Sequence, residues 1–424
     1  AGVRGAPGPA APGPIVTREA RVLVTHPGRQ HSHEAALALQ EAGLLAGYWA
    51  GVPSARGHFE GAAGRLLRPF VRYAAVDLDE RLARWIPFPP VLRRLSELVL
   101  PRRLAERADF FACRAFDRWV AARLGEVEAG AVLACEISAL ETFQRARERG
   151  WRTFLDAPSF HHAAQDRLHG FRESPRLHRR IVEVKDREIE LADAVFTASE
   201  LARGTYLAAG VPPEKVHAVP LGADLDLFTP AEECGDGDDP IRFLFAGASI
   251  HRKGFDLLVE AFGRVHRQVP AARLRVVGPR GELAALLSAL DPGSAVAVGP
   301  VSQPELAAEL RRADCLVLPS RNDSYGMVVA EALASGTPVI VSEMVGAKDL
   351  VEEGRTGWLV PADDPEALAQ RMLACALDPQ ALRAMRPAAR ERALSATWES
   401  YRRRFAALVG SLLGEVEAVT RSMG

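Results

Sequence analysis

The stretch Pro319-Ser-Arg-Asn-Asp-Ser-Tyr-Gly-Met-Val-Val-Ala-Glu-Ala-Leu-Ala-Ser-Gly-Thr-Pro338 decides the fold. It starts where the apolar run Cys315-Leu-Val-Leu318 stops, and it passes through a short polar loop into apolar residues at helical spacing. A strand that feeds a helix in this way leaves backbone N–H groups free at the helix start. Those groups and the helix dipole favour an anion such as a phosphate, the dipole contributing ~0.3–1 kcal/mol at an exposed site. Asp323 lies in the loop, and Glu331 follows eight residues later on the helix, near the same face. A carboxylate accepts two hydroxyl hydrogen bonds and suits a vicinal diol, so one acid can reach a sugar and the other a ribose on one ligand. Either acid alone would read as a helix cap or a solvated residue. The whole string reads as a site.

The alternation of strand and helix continues outward on both sides. Strands are expected at Pro338-Val-Ile-Val341, Phe243-Leu-Phe-Ala246, Leu274-Arg-Val-Val277 and Ala295-Val-Ala-Val298. Between the second and third of these, Phe255, Leu258, Phe262, Val265 and Val269 form one apolar helix face. Nearer the N-terminus, strands are expected at Arg21–Thr25, Ala131–Cys135, Thr153–Asp156 and Ala194–Ala198, with a further apolar run at Leu45–Ala50. A helix is predicted from Ser32, as its cap, to Ala42, with Gly43 ending it. The last helix is predicted near Trp398–Leu413. The expected class is therefore α/β, with two Rossmann-like doubly wound domains in tandem. The expected boundaries are a disordered tail 1–18, an N-terminal domain 19–222, a linker 223–240, a C-terminal domain 241–395, and a segment 396–424 whose helix packs back on the N-terminal domain. Ligands in such folds sit beyond the carboxyl ends of strands, and the cleft between two such units is the default site.

Composition narrows the function. The 424 residues are 48% apolar and 25% charged with net charge −1, an ordinary globular balance that gives no field for nucleic acid. Five scattered cysteines, none in CxxC spacing, argue against disulfides or zinc and for a reducing cytoplasm. No run approaches the ~20 apolar residues of a membrane span, and the tail lacks the apolar stretch of a signal peptide. The region at about 60–125 reads as an arginine-rich helical insertion without a clear strand. Gly64–Gly125 holds thirteen arginines and seven acids. It is either a solvated face over an aromatic stripe or a patch for an acceptor or a membrane surface. The patch residues would be Arg65, Arg68, Arg72, Arg93, Arg94, Arg102 and Arg103, interleaved with Phe70, Trp85, Phe88 and Trp119.

A second loop carries chemistry: Phe245-Ala-Gly-Ala-Ser-Ile-His-Arg-Lys-Gly254, between a strand and the helix at 255. Gly247 permits close approach of backbone to a ligand, and Lys253, one of only four lysines, offers a point charge to a diphosphate. In the first half, His26-Pro-Gly-Arg-Gln-His-Ser-His33 and Asp156-Ala-Pro-Ser-Phe-His-His162 also follow strands. Three histidines in the former invite a metal, but no carboxylate or cysteine stands at ligand spacing. Asp77-Leu-Asp79 and Asp224-Leu-Asp226 have the form of a metal-binding DxD, yet neither ends a strand.

These motifs together resemble the family 4 glycosyltransferases, the glycosyl transferases group 1. The resemblance rests on Asp323-x7-Glu331, the turn Ser324-Tyr325-Gly326, Ala334-Ser-Gly336-Thr-Pro338-Val339, and Gly247 with Lys253. It extends through Glu188–Ser199, Val216–Pro230, Gly346–Val351 and Gly354–Pro361, and covers roughly residues 185–400. The chain departs from the family in having Asp at 323 for the usual Glu, Ser324 for a glycine, and Ala248 where an arginine is usual. Arg252 is the candidate to replace that charge.

The resemblance implies a GT-B fold, two Rossmann-like domains facing across a cleft. It implies a retaining transferase that moves a hexose-type sugar from a nucleoside diphosphate sugar to a hydroxyl acceptor, with no metal or cofactor. The donor site would comprise Gly28, Gly247, Arg252, Lys253, Asp323, Ser324, Tyr325, Gly326, Met327, Val328 and Glu331. Lys253 would stabilise the leaving diphosphate, Asp323 hold the sugar and Glu331 the ribose. His161 or His162 would approach the transferred sugar, and Arg29, His31 and His33 would face the acceptor. The family's commonest setting is cell-surface polysaccharide or glycolipid assembly, which implies a cytoplasmic protein, open to peripheral contact with the inner membrane face through 60–125 and to a lipid-linked glycan acceptor. Two other readings stay open: a GT-B sugar-nucleotide epimerase or hydrolase, and a non-catalytic GT-B partner subunit.

Overall fold

Val22–Val24, Ala131–Ala134, Cys315–Leu318 and Val339–Val341 are all at most 2% exposed, as expected for parallel strands covered on both faces. They are the centres of two sheets. The computed structural model describes residues 21–52, 76–170, 173–231, 240–248 and 251–414. The tail 1–18, linker residues 232–239, and Arg65, Arg68, Phe70 and Arg72 of the expected patch lie outside the described residues.

The first sheet contains β1 (Val22–His26), β2 (Leu45–Ala50), β3 (Ala83–Trp85), β4 (Ala131–Cys135), β5 (Arg152–Asp156), β6 (Ala194–Thr197) and β7 (Val216–Ala218), in the order β3-β2-β1-β4-β5-β6-β7. The second contains β8 (Arg242–Ala246), β9 (Arg273–Val277), β10 (Ala295–Gly299), β11 (Cys315–Leu318), β12 (Val339–Ser342) and β13 (Gly357–Val360), in the order β10-β9-β8-β11-β12-β13. Pairing is parallel, with Cys315 opposite Phe243, Leu316 opposite Leu244 and Leu316 opposite Val339. The described helices are α1 (Ser32–Glu41), α2 (Phe88–Val99), α3 (Arg102–Ala121), α4 (Leu140–Glu148), α5 (His162–His169), α6 (Pro175–Leu191), α7 (Glu200–Ala208), α8 (Phe255–Gln268), α9 (Arg280–Leu287), α10 (Gln303–Arg312), α11 (Met327–Ala334), α12 (Pro365–Leu377), α13 (Pro379–Ala384), α14 (Arg386–Ala393) and α15 (Trp398–Leu412). None is long and apolar enough to cross a membrane.

In the second sheet the chain runs from β8 outward to β9 and β10, then returns to start the other side at β11. The loops after β8 and β11 therefore diverge at the topological switch point, where doubly wound folds hold ligands. The apolar face of α8 holds this half together: Phe255, Leu258, Phe262 and Val265 are at most 1% exposed. Each contributes about 1.5–3 kcal/mol on burial. Val269, placed on that face by the spacing, is instead the residue that ends the helix.

Contacts divide the chain into two compact units. The first comprises Ala1–Phe154, Asp186–Ala192 and Ala406–Gly424. Two expectations are corrected in it. The expected insertion contains a strand, β3, whose Ala-Arg-Trp is too short and mixed to show a period. Ser32 does not cap α1; His31 stands at the cap, and the Ser32 hydroxyl donates to Arg29 O at 2.5 Å. Helix α4 also lacks a cap from its own preceding residue, Ala139, and two acids from elsewhere serve it. Glu188, 0% exposed, accepts from the N–H groups of Ile137, Ala139 and Leu140 at 2.7, 2.8 and 3.1 Å. Asp117 accepts from those of Glu141 and Thr142 at 2.9 Å. Between them they satisfy N–H groups that a helix start leaves free.

The second unit comprises Leu155–Lys185 and Asp193–Phe405, while the change from the first sheet to the second falls between Ala218 and Arg242. Ser199 Oγ donates to Ser324 O at 2.6 Å, the Tyr325 hydroxyl donates to Leu221 O, and Ala223 bridges Thr397. These bonds tie residues 193–231 to the second sheet's loops. On α15, Phe405 meets Phe196 of β6 edge-on at 5.2 Å, and Arg404 donates to Pro220 O at 3.1 Å.

Candidate functional site

Gly254 ends the β8 loop at φ +68°, a left-handed conformation that favours glycine, and begins α8. A Cβ there would lie 2.0 Å from Pro319 O of the β11 loop. The two loops touch at this point because the residue has no side chain. Gly254→Ala should separate them and cost about 1–3 kcal/mol of strain. Thermal melting should fall together with nucleotide affinity, and an unshifted melting point would contradict this packing.

Arg321 clamps the same loops. Its guanidinium donates to both carboxylate oxygens of Asp256 at 2.8 Å, to His251 O at 2.7 Å and to Asp363 Oδ1 at 2.6 Å. Its backbone N–H donates to Arg252 O at 2.9 Å. Burial alone would raise the Asp256 carboxyl, but the Arg321 hydrogen bonds and charge hold it below its usual value.

Lys253 extends from this clamped turn and forms an ion pair with Asp323 Oδ2. The two side chains are 13% and 8% exposed. Asp323 is fixed through its backbone, donating to Met344 O and accepting from Gly346 N, each at 2.9 Å. Gly326 at φ +87° starts α11 directly beside it, where a Cβ would lie 2.7 Å from a Val345 methyl and 3.4 Å from Asp323 Oδ2. Glu331, just over one turn into α11, is 7% exposed. Burial pushes its carboxyl up to about 7, against the pull of the Lys253 charge. The carboxylate has no hydrogen-bond partner among the described residues. One ammonium therefore acts on two acids at a helix start.

Other expected residues fall as follows. Ser324 and Met327 are half-buried at the loop and helix start, and Val328 is 7% exposed. The Tyr325 ring is 4% exposed, its hydroxyl is used on Leu221 O, and burial pushes the phenol up. Its side chain thus anchors the loop, which leaves only its backbone for a donor. The stem of Lys253 lies over Gly247, 3.3 Å from where a Cβ would be. In the β5–α5 loop, His161 Nδ1 accepts from Ala163 N at 3.2 Å and caps α5, and its ring lies 4.0 Å from that of His162. Ser159, Phe160 and Gln165 of this region line a cavity of about 270 Å³ with Arg252, Asn322 and Ser324.

The remaining expected residues belong to the first unit. Gly28 N donates to His26 Nδ1 at 2.8 Å, Arg29 is 5% exposed, and His31 stands at the N-cap position of α1 without a side-chain capping bond. His33 is half-buried, with its Nε2 3.4 Å from Glu34 Oε1. Burial first, then the Arg29 charge, lowers its pKa to about 3, so it is neutral and offers no cation to an acidic acceptor. Trp85 and Trp119 of the expected patch are half-buried, Trp119 being stacked on Phe116 at 6.0 Å, whereas Phe88 is 47% exposed. In the two DxD strings, Asp79 Oδ1 accepts from Arg81 N and Asp224 Oδ1 from Asp226 N and Leu227 N. Each aspartate closes a turn. The sequence did not single out Arg321 or Ser199; a charged residue at a strand end was the only signal of the former.

Residues 240–378 match the family model of the glycosyl transferases group 1. The chain is 36% identical over 208 residues to D-inositol 3-phosphate glycosyltransferase 1 of Catenulispora acidiphila, covering 45% of this chain and 50% of that protein. It spans about half the length of the curated relatives it matches. Among solved structures, sucrose-phosphate synthase from Thermosynechococcus elongatus superposes with a TM-score of 0.70 at 22% identity, over 94% of this chain and 99% of that one. Anabaena HepE in complex with UDP-glucose does so with a TM-score of 0.62 at 16% identity, over 92% and 99%. The fold is GT-B.

Proposed function

We propose that this chain is a retaining, metal-independent glycosyltransferase that moves a hexose-type sugar from a nucleoside diphosphate sugar to a hydroxyl acceptor. The carrying observation is the Lys253–Asp323 ion pair beside the buried Glu331, at the start of α11 and at the switch point of the second sheet. Transfer breaks the bond from the anomeric carbon to the diphosphate oxygen, and negative charge grows on the leaving group. Lys253 and the N–H groups at Ser324–Val328 supply fixed positive charge there, before the charge develops. The acceptor hydroxyl attacks from the face the leaving group departs, and its proton goes to a leaving phosphate oxygen. No side chain need become covalently attached. Positioning does the rest: Asp323 holds sugar hydroxyls, Glu331 the ribose diol, and His161 or His162 the far side of the sugar. Gly28 is assigned to the donor, and Arg29, His31 and His33 to the acceptor.

The name of the Catenulispora relative makes D-inositol 3-phosphate the first acceptor to try. The same reading sets the enzyme in the cytoplasm, in cell-surface polysaccharide, glycolipid or other glycoconjugate synthesis. Peripheral membrane contact through α2 is supported by Leu98 and Val99, 65% and 76% exposed near Arg93 and Arg94.

A donor screen with EDTA present tests the proposal, read by nucleoside diphosphate release and by the product's anomeric configuration in NMR. Release that needs both donor and acceptor, survives EDTA and keeps the configuration is expected. Inversion, or activity lost to EDTA and restored by magnesium, would overturn it.

A further inference from the structure

The cavity lined by Ser159, Phe160, Gln165, Arg252, Asn322 and Ser324 has a charge imbalance. Its volume of about 270 Å³ is just under the small end of ligand pockets, about 300–1,000 Å³. That suits one monosaccharide-sized unit and not a whole sugar nucleotide. Arg252 is its only charged lining residue among the described residues. Among the described residues the Arg252 guanidinium has no carboxylate within ion-pair distance and no hydrogen-bond partner. Its neighbours do not neutralise it. Lys253 is paired with Asp323, and Arg321 with Asp256 and Asp363. Adjacent cations on one turn thus have different surroundings: Lys253 meets the acid pair, and Arg252 borders the cavity with the β5–α5 loop.

The other polar lining groups are the neutral Ser159, Gln165, Asn322 and Ser324. They suit hydroxyls, and a guanidinium fork suits a planar carboxylate or a phosphate held by two N–H bonds. The loop that brings Ser159 and Phe160 is itself fixed. Phe160 packs in a buried cluster with Ala164 and Ala202, joined by Leu201 and Met344, and Gln165 Nε2 donates to Phe160 O at 2.7 Å. A rigid wall of neutral hydrogen-bonding groups thus faces one uncompensated cation.

We infer that this cavity selects a sugar-sized unit carrying an acidic group, a carboxylate or a phosphate, with Arg252 as its counter-ion. The inference rests on the transfer reading and names the substrate class for that site. The acidic group arrives either on the transferred sugar, as in a uronate, or on the acceptor, as in a phosphorylated polyol. In both cases the chemistry is a bidentate anion on Arg252.

The test compares kcat/KM within pairs that differ by the acidic group alone: UDP-glucuronate against UDP-glucose, GDP-mannuronate against GDP-mannose, and D-inositol 3-phosphate against inositol. The wild-type chain should favour the acidic member of one pair by about 10- to 100-fold, the usual worth of a charge-assisted hydrogen bond. The pair that responds identifies the source. Arg252→Gln should bring that ratio close to one, and Arg252→Lys should keep part of it. Equal use of both members in every pair overturns the inference. So does a ratio that persists in Arg252→Gln while both members slow alike, because Arg252 would then face the diphosphate. If Arg252→Gln does not fold, competition by free glucuronate against free glucose on the wild type gives the same ratio. A wild type that turns over no donor refutes the transfer reading instead. The acid preference is then decided by calorimetry with glucuronate and glucose on that chain.

Discussion

Lys253→Ala will lower turnover by about 10²–10³-fold, the usual loss when a preorganised donor to a developing negative charge is removed. The proposed reaction puts developing charge beside Lys253, which lies at a helix start with 13% of its side chain exposed. Water cannot readily replace the ammonium there. The loss should fall mainly on kcat, because the leaving diphosphate is more negative in the transition state than in the bound donor. The substitution also leaves Asp323 and Glu331 buried without a cation, so melting should be followed in parallel. A folded Lys253→Ala chain with wild-type kcat would remove Lys253 from the leaving-group role.

Glu331→Gln will stabilise the free chain at pH 8 while weakening the donor. Burial raises the Glu331 carboxyl from 4.5 to about 7. The folded chain then holds a proton that the unfolded chain has released between those two values. Stability therefore falls as pH rises from about 4.5 to about 7, and levels off above. Above pH 7 the cost of the buried charge is on the order of 3 kcal/mol. A neutral glutamine does not bear it, so the variant's thermal midpoint should be higher at pH 8, and the difference should vanish near pH 4. Donor affinity should fall by about 10–100-fold, since the amide cannot accept two hydroxyls as the carboxylate does. A variant that is no more stable at pH 8, or that binds donor as well as wild type, would contradict the assignment. A destabilising acid kept inside a helix start fits a site built for a ligand.

The strands that were legible to the residue in the sequence are ones buried on both faces. Cys315–Leu318 and Ala131–Cys135 could be read to the residue because a covered parallel strand is an unbroken apolar run. The α8 face was legible for the matching reason, a helical period of buried residues. The strands β3 and β7 were not, being three residues long and mixed in character. In the site, the loops and their acids were legible from composition and position. What escaped was every bond that spans distance in the chain. Arg321 reaches Asp256, Ser199 reaches Ser324 across 125 positions, and Tyr325 reaches Leu221 across 104. Glu188, which the sequence marked only as the start of the family-like stretch Glu188–Ser199, is 0% exposed because it serves N–H groups some 50 residues upstream. Local patterns reveal which element forms; they do not reveal which partner a polar side chain finds.

The most direct test is the stoichiometry of transfer. The chain is incubated with a nucleoside diphosphate sugar and an acceptor, and glycosylated acceptor is counted by mass spectrometry against nucleoside diphosphate released. The account predicts one glycosylated acceptor for each diphosphate, and almost no release when the acceptor is left out. Free sugar in place of glycosylated acceptor would make the chain a hydrolase, and nucleotide binding without any release would make it a non-catalytic member of the fold.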